Sequence, residues 1–113
     1  MHLIIDRKSW SRGKGKHTKL LNDDNEKDCI GFLLLASGFK AEQILNLDEP
    51  IDIIRKYEWI SPLIEWAGSA SFHSALCNQI VKLNDSADLK DNEREIKLCE
   101  AFKSIDIDLE FVE

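Results

Sequence analysis

Cysteine is scarce, and what there is does not pair by motif. Cys29, Cys77 and Cys99 are odd in number, scattered, free of any Cys-x-x-Cys spacing and set among apolar residues. That excludes a disulfide framework and predicts three reduced core thiols. Proline occurs only at Pro50 and Pro62, each in a position to open a helix. Long apolar runs are missing too. The longest, residues 28–38, falls well short of the roughly 20 residues needed to cross a bilayer. The opening run Leu3-Ile4-Ile5 is too short for a signal-peptide core and is followed by Asp6, so the chain is expected in the cytoplasm. No repeat or low-complexity stretch is visible.

What is present is an ordinary globular composition, 43% hydrophobic and 32% charged over 113 residues. A chain of this length buries one core without metal or disulfide, which predicts a single compact domain over residues 1–113. Its organising stretch is 28–38. Cys29, Phe32, Leu33 and Ala36 fall on one helical face, and Ile30, Leu34 and Leu35 make the flanks apolar, as in a helix covered on most sides. Asn25 or Asp28 supplies its N-cap, and Gly38 suits the left-handed position after its end, with Phe39 folding back toward Leu34.

In chain order, residues 3–8 read as a strand, 9–16 as a loop with Gly13 and Gly15, 18–21 as a second short strand, and 22–25 as a turn. Short helices are expected at 41–46, 50–57 and 62–67. Phe72, Ala75, Leu76, Ile80 and Leu83 recur at helical spacing up to Asn84-Asp85. A last helix, capped by Asp91, should bury Ile96, Cys99 and Phe102, with Leu98 alongside, and expose Glu93, Arg94, Glu95 and Lys97. Ile105, Ile107, Leu109 and Phe111 then alternate with Asp106, Asp108 and Glu110 in strict period two. That closing strand, 105–112, is expected beside 3–8 through pairing of its acidic row with Arg7 and Lys8, its odd-numbered side chains facing the helix at 28–38. The fold class is therefore α+β: a small mixed or antiparallel sheet containing the N- and C-terminal strands, packed on a central buried helix and several short helices.

Charge is segregated along the chain. Net charge is -6, yet residues 1–20 hold six Lys/Arg against Asp6, a local +5 that leaves the remainder at -11. The basic loop offers Arg12, Lys14, Lys16 and Lys19, with glycines whose backbone amides could converge on a phosphate or nucleic acid. Its spacing is not that of a Walker loop. The acidic stretch 22–28 lacks the glycine and glutamate positions of a calcium-binding EF loop, and no metal or cofactor is expected. Cys29, Cys77 and Cys99 with His2, His17 and His73 form no recognisable nucleophile or acid–base motif; His73 and Cys77 share a helical face, but a thiol between Leu76 and Ile80 reads as buried. No catalytic residue is assigned. The acidic body suits docking on a basic surface, through Asp88, Asp91, Glu93 and Glu95. Trp59 and Trp66, close to Tyr57, are the aromatic candidates for a partner interface.

The order Trp10-x-Arg12-Gly13, Leu20-Leu21, Cys29-Ile30-Gly31-Phe32 with Gly38 beyond, Leu83-Asn84-Asp85, Glu93-Arg94-Glu95 and Glu110-Phe111-Val112 resembles small uncharacterised proteins of phages and prophages. Asp28 and Ser104 stand where such proteins tend to carry a second cysteine and a glycine. The resemblance implies a mobile-element setting in a bacterial host cell and no particular chemistry. Together with the acidic surface it leads to an expected non-enzymatic accessory protein that binds a host protein or protein–nucleic-acid complex with a basic surface, most concretely an inhibitor of a defence complex such as a CRISPR effector. The alternative is a small nucleotide- or nucleic-acid-binding protein using loop 12–19. No membrane partner is expected.

Overall fold

The first strand, β1 (His2–Asp6), buries Leu3 and Ile5 and turns Ile4 outward, as its alternation requires. It stops two residues before the expected end because the Asp6 carboxylate accepts the Lys8 amide at 2.9 Å and opens a 3-10 turn, Arg7–Ser9. A computed structural model describes residues 2–16, 18–48 and 72–113, with side chains from residue 76 onward in the last segment. The helices expected at 50–57 and 62–67, Trp59 and Trp66, and the His17 and His73 side chains lie outside the described residues.

Helix α1 (Cys29–Ala36) is the expected central helix. Asp28 is its N-cap, accepting the Gly31 amide at 2.7 Å, and Gly38, at φ +104°, carries the chain out so that the Phe39 amide returns to the Leu34 carbonyl. The buried face is Cys29, Ile30, Leu33 and Leu34; Phe32 is half-buried and Ala36 exposed, which corrects the expected face by one position. Gly31 lies directly against the Leu20 carbonyl. Helix α2 (Ala41–Ile44) is shorter than expected and ends where Asn46 adopts φ +62°. The expected strand at 18–21 is reduced to one bridge, Leu21 with Leu45.

Helix α3 (Phe72–Asp85) and helix α4 (Asp91–Lys103) follow, the second capped at Lys90 and not at Asp91. The face of α4 differs from the sequence reading. Arg94, Leu98, Ala101 and Phe102 are buried, Cys99 is half-buried, and Ile96 is 60% exposed. The rotation lets Arg94 reach the end of α3 while Glu95 meets Arg7. Backbone amides at 105–107 turn back onto the Phe102 and Lys103 carbonyls, so the closing strand, β2 (Asp108–Val112), starts three residues later than its alternation suggests.

β1 and β2 are neighbours as expected, but the sheet they form is two-stranded and parallel, neither mixed nor antiparallel, with Leu3 opposite Leu109 and Ile5 opposite Phe111. The architecture is α+β. β1 lies on α1 and β2 on α4, with α3 between the two helices. Arg7 and Lys8 do not pair with the acidic row of β2. Asp108 takes Lys103 at 2.6 Å and Glu110 lies 3.4 Å from His2. Among the described residues no helix is long and apolar enough to cross a membrane.

Candidate functional site

Polar atoms in a core must find partners inside it, and here they converge on the last turn of α3. Asn84 is fully buried. Its Oδ1 accepts from the Trp10 indole at 2.8 Å and the Cys29 amide at 3.1 Å; its Nδ2 donates to the Ser11 carbonyl, Thr18 Oγ1 and Asp85 Oδ1 at 3.0, 3.3 and 2.9 Å. One side chain thus ties the segment after β1, the start of α1 and the end of α3.

The carbonyls that end α3 have no partners within the helix and are met from two sides. From below comes Arg94, 2% exposed, whose Nη1 donates to the Leu83, Asn84 and Ser86 carbonyls at 2.7, 3.2 and 2.8 Å and whose Nη2 donates to that of Leu89 at 2.8 Å. From above comes the basic loop. Gly13 and Gly15, at φ +68° and +70°, donate their amides to the Asn84 and Asp85 carbonyls at 2.8 and 2.7 Å. These are the amides that sequence reasoning offered to a phosphate. They are engaged, and they sit over a helix C-terminus, whose partial negative charge disfavours an anion.

Arg12 is engaged as well, donating to the Arg7 and Trp10 carbonyls, pairing with Asp91 at 2.9 Å and lying 4.4 Å over the Trp10 ring. Lys14, Lys16 and Lys19 remain exposed, Lys19 reaching Asn46 at 3.3 Å. Lys16 lines a cleft of about 340 Å³ with Gly15, Val81, Lys82, Asp85 and Ser86.

Behind Asn84, two buried carboxylates flank one hydroxyl. Thr18 Oγ1 lies 2.8 Å from Asp85 Oδ1 and 3.4 Å from Asp28 Oδ2. A hydroxyl has one proton to give. The Thr18 hydroxyl lies nearer Asp85, and the longer contact with Asp28 offsets little of that carboxyl's burial. Burial pushes the Asp28 pKa from its ordinary 3.8 up to about 8, with the Asp85 charge adding to the rise and the Gly31 amide opposing it. Asp28 is then a neutral acid at neutral pH.

Neither Cys29 nor Cys99 is an activated thiolate. Burial, then the charges of Asp28 and Asp85, raise Cys29 well above an ordinary thiol; burial, then Glu95 and Glu100, raise half-buried Cys99. Cys77 is buried. Reactive thiols are shifted the other way. Asn22 Oδ1 accepts the Asp24 and Glu26 amides, making the acidic stretch a closed turn, and among the described residues no three His, Cys, Asp or Glu side chains are placed to hold a metal.

Of the four acidic docking candidates, two are engaged internally. Asp91 binds Arg12, whose hydrogen bond holds its carboxyl below the usual range, and Glu95 takes Arg7 in a two-pronged pair at 2.9 and 2.7 Å. Asp88 and Glu93 are exposed. Sequence reasoning missed Arg94 and Asn84. The signal was there for Arg94: it stands four and eight residues before Leu98 and Phe102, on the apolar face. Trp10, Arg12-Gly13, Cys29, Asn84-Asp85 and Arg94, drawn from separate short motifs, meet in this one network. Comparison of the chain with family models, with curated proteins and with solved structures returned no match.

Proposed function

We propose that the protein is a phage-type accessory protein that binds a host macromolecule with a basic surface and acts without catalysis, most concretely as an inhibitor of a defence complex such as a CRISPR effector. The observation that carries this reading is the way the charges are distributed. Arg7 and Arg12 are neutralised in pairs with Glu95 and Asp91, while Glu93, Glu100, Glu110 and Glu113 stay exposed on α4 and the closing segment. An acidic excess of this kind over the last helix and the closing segment, where Lys97 and Lys103 are also exposed, steers encounter with a basic partner. The phage setting rests on the motif resemblance alone.

Capture from bacterial lysate, identified by mass spectrometry, supplies the partner for a binding test. Association with that partner should slow steeply with salt, since charges are screened over about 8 Å at physiological ionic strength. Glu93→Lys and Glu100→Lys should weaken it more than the Lys14→Glu, Lys16→Glu double variant. The reverse order favours the second reading, a nucleotide or nucleic-acid binder using the exposed Lys14, Lys16 and Lys19 of loop 12–19.

A further inference from the structure

A two-stranded sheet leaves each strand paired on one side only, and an unpaired strand edge is a template for another extended chain. Among the described residues β2 has β1 as its sole strand neighbour. Beside it, between β2 and α4, runs an open groove of about 300 Å³ lined by Cys99, Glu100, Lys103, Ile107, Asp108 and Leu109. Ile107, Leu109 and Cys99 supply its apolar part. The Cys99 thiol lies 3.6 Å from the Leu109 carbonyl, the weak kind of hydrogen bond that a backbone amide would outcompete. Glu100 and Asp108 make its rim acidic, and Glu110 extends that row along the strand.

We propose that β2 and this groove accept an extended, lysine- or arginine-bearing segment of a protein partner as a third strand of the sheet. The proposal rests on the reading of the protein as one that docks on a basic partner, and names where and how. Backbone pairing along β2 supplies register, the apolar lining takes one side-chain row of the incoming segment, and its cations meet Glu100, Asp108 and Glu110. Lys103 marks the same chemistry from inside. Its ammonium already sits 2.6 Å from Asp108, in an exposed pair that an incoming cation displaces at little cost. The other strongly charged opening, the Lys16 cleft, lies over the carbonyl end of α3 and next to Asp85, which sets its field against an anion.

The test uses a fluorescent peptide of about six residues, alternating lysine and valine, a length matched to a typical strand. Its binding to the full chain is followed by anisotropy, and the site is mapped by amide chemical shifts. The expected result is salt-sensitive binding, with shifts centred on 107–112. Binding should fall about tenfold when alternate peptide amides are N-methylated or when Glu110→Lys is introduced, and rise severalfold for Lys103→Gln, which releases Asp108. Unaltered melting of both variants shows that the fold is intact; if either melts lower, Glu100→Gln takes its place. No binding, equal binding of the N-methylated peptide, or shifts centred elsewhere overturns the strand-edge site. A lysate partner whose salt-sensitive binding survives Glu110→Lys but fails with Glu93→Lys overturns the edge and leaves the wider docking reading standing, whereas a partner indifferent to every acidic variant removes both.

Discussion

Replacing Asp28 by asparagine should make the protein more stable at neutral pH. The native state holds Asp28 protonated up to about pH 8, while the unfolded chain releases that proton near 3.8. Between these values the native state binds one more proton than the unfolded state, so stability falls as pH rises through the window and levels off above it. At pH 7 the window has been crossed by about three units, each worth about 1.4 kcal/mol, a penalty on the order of 4 kcal/mol. Asparagine carries the hydrogen-bonding capacity of the neutral acid. Its Oδ1 can accept the Gly31 amide, its Nδ2 can donate to Thr18, and its N-cap preference equals that of aspartate. Thermal melts of both proteins from pH 4 to 9 read the effect. The curves should meet near pH 4 and diverge steadily, with Asp28→Asn melting on the order of 10 °C higher by pH 7. Parallel curves, or a variant less stable at neutral pH, would mean that Asp28 is ionised in the fold and that the Thr18 proton is shared differently.

Two further substitutions probe the same architecture. Arg94→Met keeps the stem and removes the guanidinium from the α3 carbonyls; urea unfolding should show a loss of about 3 to 5 kcal/mol, only partly recovered by Arg94→Lys, and a loss below about 1 kcal/mol would refute the capping role. Gly31→Ala would drive a Cβ into the Leu20 carbonyl, whereas a Cβ at Gly38 meets nothing within 4 Å; the first change should destabilise by several kcal/mol and the second by about 1, despite the positive φ at Gly38, and equal melting temperatures would show that the chain near Leu20 yields.

The parts of the fold that were legible in the sequence are those decided by local pattern. Residues 28–38 announce a capped apolar helix, 72–85 an amphipathic one, and the two end segments a pair of adjacent strands. What periodicity does not carry is the demand of unsatisfied backbone groups elsewhere. Arg94 reads as surface because it is charged, yet the open carbonyls of α3 draw it inward and rotate α4 around it, moving Ile96 out. The basic loop reads as a phosphate cradle because glycines and lysines are what such a cradle uses. Whether its amides face solvent or another helix end is a tertiary fact, and here they face Asn84 and Asp85. Strand direction was illegible for a similar reason, since nothing in a period-two pattern distinguishes parallel from antiparallel pairing.

The pairing of these two strands has a consequence for how the protein is made. The register joins His2 to Asp108, so β1 must wait for every element between the two strands to be made before its partner exists. Contacts of such sequence separation close large loops before they return any stability, and folding that depends on them is slow. Until then Leu3 and Ile5 lack their partner strand on the nascent chain. The helices can condense around α1 in the meantime, leaving capture of β1 by β2 as a late step of folding.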